Sequence, residues 1–289
     1  MLPPPPALIA VIGPVEPILL AAWAAHYRAL GVERFHVAFH FPAHVPDTWR
    51  HELLATARQL GISPAGVSTG PWHEHTNTEL RDALREEAGP GWHLLADADE
   101  FQTYPAPLTE VVAAAETAGS PVIGGLMLDR VAADGRLAHW SPATGLDRAF
   151  PLGGHLTHRL LHGDPRKIVL VRSGITVASG NHRAPGHKPD VNALACVHHF
   201  KWRSGVLEDL RRRVEKFTDG TWAEHTPAVR DEASRLLEHL ERRGGRIDVA
   251  DVRLGFRRAT LDRLPDRWAH EAHTLHTGWR PPAACQTGQ

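Results

Sequence analysis

The acidic segment Asp97-Ala98-Asp99-Glu100 is the part of the sequence that points most directly to chemistry. Two carboxylates two residues apart, directly after the apolar run 92–96, can both turn toward one point and hold a hard divalent cation through oxygen. Mg²⁺ and Mn²⁺ suit such ligands, and these ions share their coordination with the phosphate oxygens of a substrate. The spacing therefore predicts that Asp97 and Asp99 bind Mn²⁺ or Mg²⁺ and act on a nucleotide. A solvated turn or a helix cap is the alternative that the pattern alone leaves open.

Short apolar runs alternate with amphipathic runs through the first 100 residues. The patterns predict strands at 7–12, 34–39, 65–68 and 92–96, and helices at 17–30, 48–60 and 77–88. Alternation with short connections is typical of βαβ crossovers onto a mostly parallel sheet, so we expect an α/β fold with flanking helices. Ligands of such sheets bind beyond the carboxyl ends of the strands. The residues that follow positions 12, 39, 68 and 96 should therefore line the site.

The regularity weakens after residue 101. A helix is predicted at 108–118 and a strand at 122–131, and further strand-like runs at 167–172, 175–178 and 193–200 are expected to complete the sheet. From residue 204 the composition shifts to Arg, Glu and Leu, with apolar residues at helical spacing. We therefore predict a catalytic domain at 1–203 and a helical C-terminal extension at 204–289, packed on the same domain.

The composition excludes several classes of protein. The chain has 289 residues, with 32 Lys and Arg against 33 Asp and Glu. This length buries a substantial core, and the balanced charge predicts no nucleic-acid partner. The two cysteines, Cys196 and Cys285, are far apart, which argues against a disulfide framework or a thiolate zinc cluster and fits a reducing compartment.

The apolar stretch at 8–25 resembles neither a signal peptide nor a membrane anchor. No Lys or Arg precedes Arg28, and the run is broken at Gly13, Pro14, Glu16 and Pro17. A basic leader segment and a spanning helix are both absent from this pattern. We therefore expect a cytoplasmic protein without a transmembrane segment.

Several short blocks, in order along roughly residues 8–217, resemble one branch of the family 2 glycosyltransferases. The first block is Glu16-Pro-Ile-Leu-Leu-Ala-Ala-Trp23-Ala-Ala-His26, which continues to Leu-Gly-Val at 30–32. The later blocks are Asp97-Ala-Asp99-Glu100-Phe101, Asp129-Arg130, Gly180-Asn181-His182 and His198-His199-Phe200-Lys201-Trp202. The resemblance implies a GT-A fold, a nucleotide-diphosphate-sugar donor activated by the metal, and inversion at the anomeric carbon. We expect the acceptor to be a small molecule or a glycan.

The resemblance also implies that a histidine near the end of the domain joins the metal. His198 and His199 end a predicted strand, so their rings should point to opposite faces and only one of them can be a ligand. The resemblance favours His198. A structural role for the histidine is the alternative.

Five further residues are predicted to contact the substrate. Lys201 or Lys167 could neutralise the diphosphate, and Trp202 offers a flat face to the sugar. His182 lies in a glycine-flanked loop, where the backbone can approach a ligand closely. Glu16 falls in the first loop, where this chain has Val-Glu in place of the family's Asn-Glu. Packing of Trp202 and a surface position for Lys167 are the alternatives.

Inverting transfer needs a general base that removes the proton of the acceptor hydroxyl. Asp129 is our candidate because it follows the apolar strand where the family builds its acceptor side, and Arg130 could orient it. A buried structural pair of Asp129 with Arg130 is the alternative. Asp147 and Asp190 are reserve candidates for the base.

Two other functions stay open at this stage. A nucleotidyltransferase shares the α/β sheet and the acidic metal site, but it would need a glycine-rich basic loop where this chain has Gly13-Pro14-Val15-Glu16. The same loop motivates a catalytically inactive nucleotide-sugar-binding relative. The histidines at 73, 75, 155, 158 and 162 have no zinc-site spacing, so we interpret them as surface or loop residues.

Overall fold

One half of the central sheet consists of parallel strands joined by helices. The strands are β1 Ala7–Ile12, β2 Phe35–Phe41, β3 Pro64–Thr69 and β4 Trp92–Leu95, and the helices are α1 Pro17–Ala29, α2 Asp47–Gln59 and α3 Thr76–Ala88. The strands lie in the order β4-β1-β2-β3, all parallel. Their carboxyl ends therefore meet at one edge, as the sequence predicts.

The structure is a computed structural model that describes residues 4–73, 75–224 and 226–280.

The other half of the sheet is mixed. Its strands are β5 Glu100–Thr103, β6 Val122–Val131, β7 Leu152–Gly154, β8 Arg166–Arg172, β9 Ala195–His199 and β10 Arg257–Arg258. The helices of this part are α4 Leu108–Thr117, α5 Leu146–Ala149, α6 Leu156–Arg159, α7 Val206–Thr218, α8 Ala228–Arg242 and α9 Trp268–Gly278. The order continues from β4 through β8, β6 and β7 to β10, and β9 pairs with both β6 and β5. The predicted α/β fold class is confirmed.

One predicted strand is absent from the structure. Residues 175–178 form irregular backbone that precedes a short 3₁₀ turn at Ser179–Asn181. The reason is that Arg81, which is buried on α3, donates to the carbonyl oxygens of Val177 at 2.6 Å and Ala178 at 3.0 Å. A side chain thus satisfies the carbonyls that a neighbouring strand would otherwise bind.

The C-terminal extension packs against the mixed half of the sheet. Leu236 and Leu240 of α8 share an apolar cluster with Val131 and Leu156. Trp268 of α9 shares another with Cys196 and other residues of the sheet. The extension is not wholly helical, since β10 pairs antiparallel with β7.

Among the described residues, no helix is long and apolar enough to cross a membrane. Cys285 lies outside the described residues.

Candidate functional site

The acidic turn lies at the carboxyl end of β4, and helix α1 fixes its backbone. Trp23 donates its indole N–H to the carbonyl oxygen of Asp97 at 3.0 Å. Tyr27 donates its hydroxyl to the carbonyl oxygen of Glu100 at 2.9 Å. Both aromatic rings are fully buried. The conformation of the turn therefore depends on two side chains that lie about 70 residues earlier in the sequence.

Lys167 on β8 neutralises two acidic side chains of the turn, those of Asp97 and Glu100. Its Nζ lies 2.6 Å from Glu100 Oε1, 3.1 Å from Asp97 Oδ2 and 3.0 Å from the carbonyl oxygen of Gly180. Burial would lower the pKa of Lys167, but the charges of Asp97 and Glu100 outweigh it and raise that pKa. An ammonium has three N–H groups, and here each has an acceptor. The alternative of a surface lysine is wrong, because the side chain is 5% exposed.

Glu100 is the buried partner of this lysine. Burial raises the pKa of Glu100 to about 7, and the charge of Lys167 opposes the rise. Glu100 also accepts a hydrogen bond from the backbone N–H of Asp97 at 3.3 Å. Glu100 therefore supports the turn from within, while the side chain of Asp97 stays 43% exposed.

Asp99 is the member of the acidic pair that meets a histidine. Its Oδ2 lies 3.8 Å from His199 Nε2, and its side chain is 25% exposed. Burial alone would raise the pKa of Asp99, but the positive charges of His199, Arg203 and Lys201 lower it. Asp99 is therefore an ionised carboxylate at the surface of the turn.

Asp129 is bound to the other ring nitrogen of His199, Nδ1. His199 Nδ1 lies 2.9 Å from Asp129 Oδ1, which also accepts from Trp202 Nε1 at 2.8 Å. Thr157 donates twice, from its backbone N–H at 2.6 Å and from its hydroxyl at 2.7 Å. Burial would lower the pKa of His199, but its hydrogen bond to Asp129 and the charge of Asp99 raise it.

This position does not fit the predicted role of Asp129 as the base. The residue is fully buried and its carboxylate is occupied by four donors, so an acceptor hydroxyl cannot reach it. The predicted sugar platform fails for a related reason: Trp202 is 1% exposed, and its indole N–H is bound to Asp129. Packing, the alternative for Trp202, matches the structure.

His198 faces the opposite side of β9, which corrects the preference for it as the metal ligand. Its Nδ1 lies 3.1 Å from Arg130 Nη1, and its ring is fully buried. Burial and the charge of Arg130 lower the pKa of His198. Arg130 in turn pairs with Asp147 at 2.8 Å. The alternative of a structural Asp129–Arg130 pair does not match the structure either, because the two neighbours point to opposite faces of β6.

Two cations follow His199 in the chain. Lys201 is partly exposed and its Nζ lies 5.1 Å from the centre of the Trp202 ring, but its side chain forms no ion pair or hydrogen bond with any described residue. Burial lowers the pKa of Lys201, and Arg213 adds to that effect. Arg203, which the sequence analysis missed, pairs with Glu16 at 2.7 Å and also donates to the carbonyl oxygen of Phe200. Its position directly after the His-His-Phe-Lys-Trp block was the only signal for it.

His182 and Asp190 are the predicted residues that remain to be placed. His182 Nδ1 lies 2.8 Å from the carbonyl oxygen of Arg166, and burial lowers the pKa of His182 to about 4. Gly180 has φ 70°, and a Cβ there would lie 2.6 Å from the His182 ring, so this turn requires glycine. Asp190 is exposed, and among the described residues its carboxylate accepts hydrogen bonds only from Asn192 in its own turn.

The structure places His155 in the loop between β7 and α6, as interpreted from the sequence, but not at the surface. His155 is buried, and its Nε2 lies 2.5 Å from Glu271 Oε1. It therefore links the sheet to α9.

The ligand pair fits a divalent cation that completes its shell elsewhere. Two ligand atoms of one ion at about 2.1 Å can be at most about 4.2 Å apart, and Asp99 Oδ2 and His199 Nε2 are 3.8 Å apart. A carboxylate behind the histidine, as Asp129 is here, is the usual outer-shell partner of a metal-binding imidazole. No group of three or more His, Cys, Asp or Glu side chains within the described residues forms a complete site by itself.

Comparison with known proteins gives distant structural matches only. No protein-family model matches the chain, and no curated protein matches it in sequence. The crystal structure of TarS from S. aureus (residues 1–349) is 12% identical to this chain with a TM-score of 0.29, and the match covers 81% of this chain and 72% of the TarS chain.

A putative glucose-1-phosphate thymidylyltransferase from Bacillus anthracis is 10% identical, with a TM-score of 0.28 and coverage of 93% and 95%. UDP-glucose pyrophosphorylase in complex with UDP-glucose is 10% identical, with a TM-score of 0.26 and coverage of 95% and 100%.

Proposed function

We propose that this protein is a metal-dependent inverting glycosyltransferase that moves a sugar from a nucleotide-diphosphate donor to an acceptor hydroxyl. The pairing of Asp99 with His199 at the carboxyl edge of the parallel strands carries the proposal. Asp99 and His199 would hold Mn²⁺ or Mg²⁺, with Asp97 beside them on the same turn. The cation would neutralise the charge that grows on the departing diphosphate.

Lys201 is the cation that suits the diphosphate best. Its ammonium has no ion-pair partner among the described residues, whereas that of Lys167 already has three acceptors. An ammonium without an ion pair, whose charge already acts on Asp99, can contribute that charge to an anionic donor without breaking a salt bridge. Lys167 would instead keep the acidic turn in place. Glu16, bound by Arg203, would border the donor site without offering a free positive charge.

The loop Gly13-Pro14-Val15-Glu16 argues against a nucleotidyltransferase. That activity would need basic, glycine-rich backbone after β1, and this loop contains no Lys or Arg. Its acidic residue, Glu16, is neutralised by Arg203 from the far end of the domain. We therefore favour glycosyl transfer.

The central test uses a panel of nucleotide-diphosphate sugars with Mn²⁺ or Mg²⁺. We expect release of the nucleoside diphosphate from at least one donor, and loss of this release after EDTA treatment. Asp99→Asn should reduce turnover by about 100-fold or more. Asp190→Asn is the matched control, because Asp190 is exposed and bonds only within its own turn.

Three results would contradict the proposal. Full turnover by Asp99→Asn would remove the role of that carboxylate. Pyrophosphate release from a nucleoside triphosphate and a sugar phosphate would identify a nucleotidyltransferase. Binding of nucleotide sugars without any turnover would identify an inactive relative.

A further inference from the structure

Glu232, on the C-terminal helix α8, reaches the same side of the sheet as His199. A Cβ placed at Gly163 would lie 2.8 Å from Glu232 Oε1 and 2.9 Å from Thr157 Cγ2. Thr157 donates twice to Asp129, and Asp129 holds His199. The carboxylate of Glu232 therefore lies against the turn that supports the histidine. The missing side chain at Gly163 leaves the space that this carboxylate fills.

The carboxylate of Glu232 has no bonded partner in the described part of the chain. Lys201 and Arg213 are close enough for their charges to act on it, but neither forms an ion pair with it. Arg213 is instead bound to Asp209 at 2.8 Å. Burial raises the pKa of Glu232, and the charge of Lys201 opposes the rise. A partly buried carboxylate that keeps a free lone pair is suited to accept a proton.

Lys201 connects Glu232 to the acidic turn. Its charge acts on the carboxylates of both Asp99 and Glu232. If Lys201 binds the diphosphate, the donor also lies within reach of the charge on Glu232. Inversion needs a base on the side opposite the leaving group, and a carboxylate near the donor without a bonded partner could supply that base.

Building on the proposed glycosyl transfer, we infer that Glu232 is its general base. The carboxylate takes the proton of the acceptor hydroxyl while the hydroxyl oxygen forms a bond to the anomeric carbon. The bond from that carbon to the diphosphate oxygen breaks, and the nucleoside diphosphate leaves with the electron pair. Glu232 takes the role predicted for Asp129, whose carboxylate is occupied by four donors.

The test compares Glu232→Gln with Glu238→Gln, using whichever nucleotide sugar the wild-type chain hydrolyses and water as the acceptor. Glu238 is on the same helix, 65% exposed, and loosely paired with Arg242 at 3.9 Å, so it is a matched control. We expect Glu232→Gln to lose about 100-fold or more in hydrolysis rate. Its dissociation constant for the nucleoside diphosphate with Mn²⁺ should stay within about twofold of the wild-type value, because a base contributes to the reaction and not to donor binding. Glu238→Gln should match the wild type in both measurements.

Azide separates a base from a structural residue. Azide carries no proton, so it can displace the diphosphate without a base, and we expect it to raise the turnover of Glu232→Gln at least about tenfold over water. Equal losses toward water and azide would overturn the inference, as would weakened donor binding or an unchanged hydrolysis rate. These results leave the glycosyltransferase proposal intact, whereas a wild-type chain that turns over no nucleotide sugar overturns both.

Discussion

Neighbouring residues in this site have opposite environments because strand residues alternate between faces. His199 and Asp129 meet on one face, at 2.9 Å, beside Asp99. His198 and Arg130, one position away in each strand, meet on the other face at 3.1 Å. The parallel register of β6 with β9 creates both contacts at once. A shift of one residue in either strand would exchange the histidine that faces Arg130 with the one that faces Asp99.

Asp129→Asn tests whether this carboxylate orients His199, the proposed metal ligand. An amide at this position removes the charge that holds the Nδ1 proton of His199, so Nε2 becomes a weaker ligand. We expect the affinity for Mn²⁺, measured by titration calorimetry, to fall about 10- to 100-fold. Asp190→Asn is again the control and should leave the affinity unchanged.

The opposite outcome would restore the role predicted from the sequence. If Asp129→Asn kept its Mn²⁺ affinity and lost turnover alone, Asp129 would act on the acceptor after all. Circular dichroism of both variants shows whether the fold is intact, because a buried carboxylate with four donors also contributes to stability.

The sequence predicted the acidic pair but could not predict which groups surround it. Asp97 and Asp99 follow an apolar strand directly, so local spacing was sufficient to place them. The choice between His198 and His199 depends on the register of β9 against β6, which is set by contacts about 70 residues apart in sequence. Glu232 had no local signal, because its helix meets the site only through tertiary packing.

At the scale of elements, β6 is the strand that joins the two environments. All of its residues, Val122–Val131, are buried, and it pairs with β7, β8 and β9. Its bounds were predictable because a continuous apolar run marks a strand that is buried on both faces. β5 was not predictable, since it begins inside the acidic turn and is fixed by its pairing with β9.

Arg130→Met tests how strongly β6 is tied to the segments around it. The fully buried guanidinium donates to the carbonyl oxygens of Phe150 and Ala259 and pairs with Asp147. Methionine leaves these acceptors without a donor, so we expect the free energy of unfolding in urea to fall by about 3 kcal/mol. Arg136→Met is the control, because Arg136 is 63% exposed and should change that free energy by less than about 0.5 kcal/mol. If Arg130→Met lowered the free energy of unfolding by no more than Arg136→Met, the buried network would contribute nothing to stability.

At the scale of the whole molecule, the C-terminal extension completes the structure around the sheet. Its helix α8 carries Glu232, and its strand β10 extends the sheet beyond β7. Glu271 on α9 joins three separate segments, because it binds both His155 beside β7 and Arg257 of β10. Loss of this contact should therefore loosen the extension as a unit and not one side chain alone.

The pH dependence of stability follows from the same carboxylate. Burial would raise the pKa of Glu271, but its hydrogen bonds to His155 and Arg257 lower that pKa to about 2. A carboxyl whose pKa is lower in the folded chain stabilises the fold above its unfolded pKa, and that stabilisation is lost as the pH falls toward the folded value. We expect Glu271→Gln to lower the free energy of unfolding in urea by about 1–3 kcal/mol at pH 6. The difference from the wild type should shrink between about pH 4.5 and pH 2.

Glu241→Gln on exposed surface of α8 provides the control for this measurement, since its change in stability should be small at both ends of the pH range. A difference for Glu271→Gln that stays constant from pH 6 to pH 3 would mean that the ionised carboxylate does not hold the extension. Packing of Trp268 and Leu275 against the sheet would then carry the attachment of α9 by itself.

Because His155 directly precedes the segment that contains Thr157, loss of the contact between Glu271 and His155 should also weaken the hydrogen bonds from Thr157 to Asp129. Reduced Mn²⁺ affinity in Glu271→Gln at pH 6 would then connect the attachment of the extension to the geometry of His199.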